Sequence, residues 1–311
     1  MNKCLYKYAG PGNIDKIFCQ SDTVSLKCSY PKDFNDPYEL FLAIDYPQKP
    51  QLLAFYEDVI GGMPQLPTTC FSRSPAVIPM WAHYGDNQEG FVLEIDEKRL
   101  GKVYGMARFE DITYRDSAPE DMNGVIAFTF ELPKPRYVLR LHNYIFSTAY
   151  FTKNSCWAYE MERRMVAQPK DVREVHANLL LDIPHACVKS ITAGSRASEE
   201  TRNKLRAHSV SIGCRYQEMR IGRSTGVPFF VDSQDVATRF VDGSFKRVRK
   251  RCSGCSEPIS GRPVKCSWCG IREAHRSKAA EQNSLRMLAA LGLLEDYLNR
   301  ADTARPARRS R

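Results

Sequence analysis

The chain has 311 residues, of which 43% are hydrophobic and 26% are charged, a composition typical of folded globular proteins rather than disordered ones. Its length predicts one large domain and one small one. It contains no run of ~18 apolar residues that could span a bilayer, and no apolar signal segment follows Met1. We therefore expect a cytoplasmic protein with no membrane partner.

The formal net charge of +9 is concentrated near the C-terminal end. From Phe245 onward there are 16 Lys and Arg residues against 6 Asp and Glu residues, a net charge of +10, whereas the preceding residues carry a net charge of −1. Such an asymmetry indicates an appended module that binds a polyanion.

Short strand and helix patterns interleave along the first 220 residues. Alternating or β-branched runs predict strands at 4–8, 24–28, 68–72, 91–95, 103–104, 109–114, 187–194 and 210–219. Helical patterns occur at 51–60, at 121–152 with interruptions at Pro133 and Pro135, and at 197–208, where Ser198 is the expected N-terminal cap. There is no regular βαβ period, so we predict the α+β class, with a mixed or antiparallel sheet core and flanking helices.

The segment from Trp157 to Arg164 (WAYEMERR) contains two glutamates and two arginines next to an aromatic pair. If the segment is extended, Glu160 and Glu162 point to the same face and enter one site. Two carboxylates held that close differ in pKa, so that one stays protonated while the other is ionised. In the alternative, an apolar residue at every fourth position marks a helix with a solvated charged face.

Four cysteines near the C-terminus predict a zinc-ribbon module. Cys252 and Cys255 are followed, after ten residues, by Cys266 and Cys269. Each CxxC turn directs two thiolates to one point, and four thiolates complete the tetrahedral coordination of a structural zinc ion. Because so small a module has little apolar core, we expect the metal to hold it folded.

These patterns divide the chain into three parts. We place an α+β domain at 1–235, a basic connector at 236–251, and the zinc module with an amphipathic helix and a basic tail at 252–311. The predicted helix spans 284–300 and carries a leucine stripe that must pack on the ribbon, on the main domain or on a second copy.

Basic residues and one tryptophan around the zinc module predict a nucleic-acid interface. Basic side chains neutralise phosphates, and an aromatic ring can stack on a base. The alternative is a ribbon that docks on a protein, with the charge serving solubility. The residues concerned are Lys246, Arg247, Arg249, Lys250, Arg251, Arg262, Lys265 and Trp268.

Four stretches of the large domain, taken together and in this order, are specific. They are 5–8 (LYKY), 34–39 (FNDPYE), 80–84 (MWAHY) with Gly90, and 157–163 (WAYEMER). The chain resembles, over about residues 4–220, the bacterial family called domain of unknown function twenty-nine seventy-one, which is often found near mobile elements and defence genes. The family tends to carry a second histidine before the glycine, where this chain has Gln88 or Glu89. If that histidine is essential, the departure puts activity in doubt.

More distantly, the same order of motifs is similar to that of the ADP-ribosyltransferase superfamily. This resemblance implies an NAD-consuming transferase or glycohydrolase. Our hypothesis adds that the enzyme acts in phage defence or as a toxin, and that the zinc module, which lies outside the resemblance, targets it. Glu162 would stabilise the oxocarbenium-like state and Glu160 would accept a proton. His83 is a third catalytic candidate. The residues expected to hold NAD are Tyr6, Lys7, Tyr8, Asn35, Asp36, Trp81, Tyr84 and Arg163.

Other interpretations stay open. A strand with alternating tyrosines is typical of a core, and the histidine and the Asn35-Asp36-Pro37 loop can be purely structural. No Gly-rich phosphate loop, GxSxG, HExxH or kinase signature occurs, which argues against phosphoryl transfer and against serine or zinc hydrolysis. The rival functions are a non-enzymatic zinc-ribbon adaptor for nucleic acid or protein, and a metal-dependent nuclease using Asp36, Glu39, Glu160 and Glu162.

Overall fold

A computed structural model of the chain describes residues 4–36, 49–261 and 264–303, with side chains described as far as residue 300. It divides into two compact units, Met1–Val248 and Arg249–Arg311, which we call the large unit and the small unit. The predictions made for Pro37, Glu39, Arg262 and the tail at 304–311 lie outside the described residues.

The secondary structure follows the predicted interleaving of strands and helices. The strands are β1 Cys4–Ala9, β2 Thr23–Cys28, β3 Thr68–Ser72, β4 Phe91–Asp96, β5 Arg108–Asp111, β6 Thr113–Tyr114, β7 Thr152–Lys153, β8 Glu162–Val166, β9 Val172–Val175, β10 Asn178–Pro184, β11 Val188–Ala193, β12 Arg215–Arg220, β13 Phe229–Asp232, β14 Ala237–Val241 and β15 Ser244–Arg247. The helices are α1 Ile14–Ile17, α2 Pro50–Gly61, α3 Ile78–His83, α4 Glu97–Val103, α5 Met122–Glu131, α6 Pro135–Tyr150, α7 Glu199–Ile212, α8 Glu273–Glu281, α9 Ser284–Ala290 and α10 Leu294–Thr303.

A mixed sheet forms the centre of the large unit. Among the described residues it has ten strands, in the order β15-β14-β13-β12-β11-β4-β1-β3-β8-β5. The strands β11 and β12 are parallel and are connected by α7, whereas the other neighbours are antiparallel. A second sheet, β2-β10-β9, shares one buried apolar core with the first. The predicted α+β class is confirmed.

The central sheet opens between two of its strands. Strand β1 pairs with β4 along its whole length, but on its other edge only Tyr6 is in register with Ser72 of β3. The Lys7 side chain spans the opening, and its Nζ donates hydrogen bonds to Thr69 Oγ1 at 3.1 Å and to the Cys70 carbonyl oxygen at 2.9 Å. The opening leaves room for a cavity within the sheet.

The loop before β4 contains Gln88 and Glu89, the residues at which the resemblance led us to expect a second histidine. Gln88 has φ of 72°, and its Oε1 accepts a hydrogen bond from Ser195 Oγ at 2.7 Å. A Cβ on the nearby Gly90 would lie 2.1 Å from the Ala9 carbonyl oxygen, so only glycine permits this approach to β1. Gln88 therefore tethers two loops, and it does not line the cavity described below.

Two predicted strands do not match the structure, because helices occupy some or all of their residues. Residues 103–104 lie at the end of α4, which begins after Asp96, whose Oδ1 accepts a hydrogen bond from the Arg99 backbone N–H at 3.0 Å. The helix capped by Ser198 continues to Ile212 and ends at Gly213, which has φ of 73°. The following strand therefore starts at 215 instead of 210.

The region predicted as a connector over 236–251 contains two strands. Strands β14 and β15 form a hairpin on the edge of the sheet, next to β13. Phe240 and Phe245 pack edge-to-face against each other at 5.3 Å, and both contact Tyr6. Apolar burial explains why this basic stretch is ordered. The compact large unit extends to Val248.

In the small unit, the helix predicted at 284–300 is interrupted. Gly292, with φ of 71°, separates α9 from α10. The leucine stripe predicted to pack is largely exposed, with Leu291 at 71% and Leu298 at 48%. Among the residues that the structure describes, no helix combines the length and the apolar character needed to cross a bilayer.

Candidate active site

A cavity of about 120 Å³ lies where β1 and β3 separate. Aromatic, basic and acidic side chains from β1, the loop before residue 36, β3, α3, β7 and β8 meet around it. Its lining residues are Tyr6, Lys7, Tyr8, Phe34, Asn35, Cys70, Phe71, Ser72, Met80, Tyr84, Lys153, Glu160, Glu162 and Arg164. Both glutamates singled out from the sequence are among them.

The local backbone explains why both glutamates turn inward. Residues 155–160 form a 3₁₀ helix, and Met161 follows with φ of 47° before β8 starts at Glu162. Because the chain reverses at Met161, this side chain is 47% exposed, while Glu160 and Glu162 are 4% and 3% exposed. The segment is thus neither extended throughout nor a helix with a solvated charged face.

Lys153 lies between the two carboxylates. Its Nζ is 2.7 Å from Glu160 Oε2 and 3.4 Å from Glu162 Oε2, and its side chain is only 5% exposed. The ammonium group also lies 4.6 Å from the centre of the Trp157 ring. One cation therefore contacts both acids, and its positive charge offsets part of the repulsion between the two carboxylates.

Each glutamate has a second partner of its own. Arg164 is fully buried, and its Nε donates to Glu162 Oε1 at 2.7 Å, while its Nη1 donates to the Tyr150 carbonyl oxygen at 2.7 Å. Tyr84 Oη donates to Glu160 Oε1 at 2.6 Å. The two acids are therefore in different environments, one beside a guanidinium and the other beside a neutral hydroxyl.

These environments move the two pKa values in opposite directions. Burial raises the pKa of Glu160 above its ordinary value of 4.5, although Lys153 and Tyr84 favour the ionised form. Burial also opposes ionisation of Glu162, but Arg164 and Lys153 outweigh it and lower the pKa of Glu162 to about 2. The pair thus combines a carboxylate held in its ionised form with one whose protonated form is more favoured than in a free glutamate.

Acid is expected to destabilise the large unit between about pH 4.5 and about pH 2 because of Glu162. A carboxyl group whose pKa is lower in the folded state stabilises the fold above its unfolded pKa, and this contribution is lost as the pH falls through the folded pKa. The expected loss is about 3 kcal/mol. Glu160 has the opposite effect. Because its pKa is raised in the folded state, its ionisation lowers the stability of the fold as the pH rises.

Urea-unfolding midpoints of the wild type and of Glu162→Gln, measured across this pH range, test the expectation. The wild type should lose more stability than the variant as the pH falls. Parallel pH profiles for the two proteins would contradict it.

Three of the aromatic residues predicted to bind NAD belong to the apolar core. Trp81 is fully buried, and its Nε1 donates to the Pro75 carbonyl oxygen at 2.8 Å. Tyr8 packs edge-to-face on Trp81 and donates to the Ser74 carbonyl oxygen at 2.9 Å. Tyr6 is 2% exposed. Tyr6 and Tyr8 still form part of the cavity wall, whereas Trp81 supports it from behind.

Of the other residues predicted to form the site, some line the cavity and some lie away from it. Asn35 lines the cavity, and its Nδ2 donates to Tyr84 Oη at 3.0 Å. Asp36 is buried but does not line the cavity, and His83 is exposed outside it. Arg163 faces away: neighbouring residues of a strand point to opposite faces, and its guanidinium binds Glu97 at 2.6 Å. The structure therefore separates Arg163 from the glutamates.

Sequence reasoning missed Lys153 and gave Arg164 no role. Lys153 ends the run Thr-Ala-Tyr-Phe-Thr-Lys at 148–153, directly before the Asn154 turn. A lysine in an otherwise apolar stretch is a signal for a buried cation that needs acidic partners. Arg164 stands two residues after Glu162 in the same strand and so shares its face.

Two larger cavities adjoin the small one. A groove of about 1200 Å³ shares Lys7, Tyr8 and Tyr84 with it and extends along β1, α1 and the second sheet. A third cavity, of about 420 Å³, shares Asn35 and Tyr84. Tyr84 lines all three, so the glutamate pair is connected to two spaces of ligand size.

The four cysteines of the small unit form a cluster able to hold a metal ion. Their Sγ atoms all lie within 4.8 Å of one another. Tetrahedral coordination at ~2.3 Å would place neighbouring sulfurs roughly 3.8 Å apart, and the distance from Cys255 Sγ to Cys266 Sγ is 3.8 Å. The backbone N–H groups of Cys266 and Gly254 help to lower the pKa of Cys252 to about 6. The donor set therefore fits a closed structural site.

The basic residues predicted around the cysteines belong to both units. Lys246 and Arg247 are in strand β15 of the large unit, where Lys246 Nζ is 2.7 Å from Asp242. Arg249, Lys250 and Arg251 begin the small unit, and Trp268 is 52% exposed between the second pair of cysteines. The fold thus assigns two of these charges to the sheet and not to the ribbon.

Comparison with known proteins adds one result. Residues 80–165 match the model of a family described as Protein of unknown function (DUF2971). The match runs from α3 to β8 and includes Tyr84, Lys153 and both glutamates. Neither a curated protein nor a solved structure was found to match the chain. The predicted family resemblance is confirmed for this segment, and the family description names no reaction.

Proposed function

We propose that the large unit is an NAD-consuming enzyme of the ADP-ribosyltransferase or glycohydrolase type, with Glu160 and Glu162 at its catalytic centre. The observation that supports this most strongly is the pair itself: two buried glutamates whose pKa values are displaced in opposite directions around one cavity. Acids in a cavity whose pKa values are displaced by burial and by specific partners are typical of catalytic sites.

The sizes of the cavities support a two-part substrate. The small cavity, about 120 Å³, accepts a single ring such as nicotinamide. The adjoining groove of about 1200 Å³ offers room for the remainder of a dinucleotide. Lys16, Lys27 and Lys7 line this groove and favour a ligand that carries phosphates.

The proposed roles follow from the environments of the two acids. Glu162 is ionised, and Lys153 and Arg164 use only some of the lone pairs of its carboxylate. The remaining lone pairs accept a hydrogen bond from the ribose hydroxyl next to the breaking bond. This interaction strengthens as positive charge develops on the ribose. Glu160, with its raised pKa, accepts the proton of the attacking water or acceptor.

Calorimetric titration of the full chain with NAD tests substrate binding. The wild type and Glu131→Gln should show the same saturable heat, because Glu131 is an exposed glutamate at the end of α5. Lys7→Ala should weaken binding roughly tenfold through loss of a charge at the mouth of the groove. Absence of any heat up to millimolar NAD would contradict the proposal.

We also propose that the small unit holds a structural zinc ion and binds nucleic acid, which delivers the enzyme to its target. The sulfur spacing fits zinc, and Trp268 is exposed and lies in sequence between Lys265 and Arg272, a combination that suits a stacked base and its phosphates. The nuclease hypothesis is disfavoured, because Lys153 lies between the two carboxylates where a divalent cation would bind.

A further inference from the structure

The third cavity, which the proposed cleavage of NAD does not use, has an unusual lining. Its walls are formed by Asn35, His83, Tyr84, Cys156, Trp157 and Tyr159. Four of these six carry aromatic or imidazole rings. The Tyr159 ring centre lies 6.1 Å from that of His83 and 6.2 Å from that of Trp157. With a volume of about 420 Å³, the cavity is large enough for a ligand of nucleotide size.

The lining favours a flat, uncharged ring over a charged side chain. None of the described residues that line the cavity carries a carboxylate, so an arginine or lysine entering it would meet no counter-ion among them, and its desolvation is costly. A nucleobase stacks on aromatic rings at no such cost, and its edge can bond to the Asn35 amide. The Trp157 ring is held in place by Lys153 at 4.6 Å.

The cavity also communicates with the glutamate pair. Tyr84 lines it, and the Tyr84 hydroxyl donates to Glu160 Oε1 at 2.6 Å. Burial raises the pKa of Tyr84, so this hydroxyl stays protonated and remains a hydrogen-bond donor at neutral pH. A proton that leaves a group in this cavity can therefore reach Glu160 through one hydroxyl.

We propose that this cavity is an acceptor site for a nucleobase of single-stranded nucleic acid, and that Tyr84 relays the acceptor's proton to Glu160. The inference rests on the proposed function and makes the enzyme a transferase. In the step, the bond between ribose C1′ and the nicotinamide nitrogen breaks with its electrons going to nicotinamide. A nitrogen of the base supplies the electron pair of the new bond to C1′, and its proton passes through Tyr84 to Glu160.

The experiment incubates the full chain with NAD and a short single-stranded oligonucleotide. It measures nicotinamide by chromatography and ADP-ribosylated oligonucleotide by mass spectrometry. An arginine-containing peptide is the rival acceptor in a parallel reaction. The wild type should modify the oligonucleotide and not the peptide. In Trp157→Ala the ratio of modified oligonucleotide to released nicotinamide should fall about tenfold, and Trp157→Phe should restore most of it.

The outcomes separate the two proposals. Nicotinamide release without modified oligonucleotide, or with modified peptide instead, overturns the acceptor site and leaves the proposed function standing. An unchanged ratio in Trp157→Ala also overturns it. Absence of nicotinamide release overturns both.

Discussion

Replacing Arg164 by methionine is expected to destabilise the large unit by about 3 to 5 kcal/mol. Arg164 is fully buried and is the closest partner of Glu162, at 2.7 Å. The substitution leaves Glu162, which is 3% exposed, with Lys153 at 3.4 Å as its remaining ion-pair partner among the described residues. A buried charge that loses its main partner is costly, and protonation of the acid recovers only part of the loss.

The double substitution Arg164→Met with Glu162→Leu provides the control. Removing both charges and filling the space with apolar atoms is expected to restore much of the stability, because the cost arises from the isolated charge. Urea unfolding followed by near-UV circular dichroism, to which Trp81 contributes as a buried residue of the same unit, measures both variants. A loss below ~1 kcal/mol for the single variant would show that the pair is dispensable for stability.

Removal of metal is expected to unfold the small unit while the large unit stays folded. The buried residues described in the small unit lie at or near the cysteine cluster, with Cys252 at 1%, Glu257 at 3% and Cys266 at 5% exposed, whereas most leucines of its helices are exposed. Zinc binding to such sites contributes roughly 10 to 16 kcal/mol at neutral pH, far more than this apolar burial. Cys266→Ser is expected to unfold the small unit in the same way.

Limited proteolysis with and without a strong chelator measures this effect. Chelator or Cys266→Ser should yield a stable fragment that ends near Val248, the last residue of the large unit. Cys156→Ser is the matched control, because this exposed cysteine belongs to the large unit. A small unit that resists protease equally well after chelation would contradict a structural metal.

The sequence predicted the elements whose signals are local. The strand at 68–72 was predicted with its observed bounds, the helices on either side of Pro133 were located, and Ser198 was recognised as a helix cap. These features depend on alternation, proline placement and capping, which neighbouring residues determine. The four cysteines were recognised for the same reason.

The candidate site could be predicted only in part, because tertiary contacts determine it. The importance of Glu160 and Glu162 followed from their spacing, but the reversal at Met161 that buries both could not be anticipated from a two-residue period. Lys153 enters through a short parallel pairing of β6 and β7, which leaves no pattern in the sequence. The opening between β1 and β3 depends on pairing between strands about sixty residues apart.

Release of nicotinamide from NAD by the purified full chain tests the central claim most directly. The wild type and Glu131→Gln should release nicotinamide at equal rates, whereas Glu162→Gln should be slower by a factor of roughly 10² to 10³. Near-UV circular dichroism establishes that the Glu162→Gln protein is folded. Equal rates in a folded Glu162→Gln protein, or no release by the wild type at millimolar NAD, would contradict the assignment of this cavity as an NAD-cleaving site.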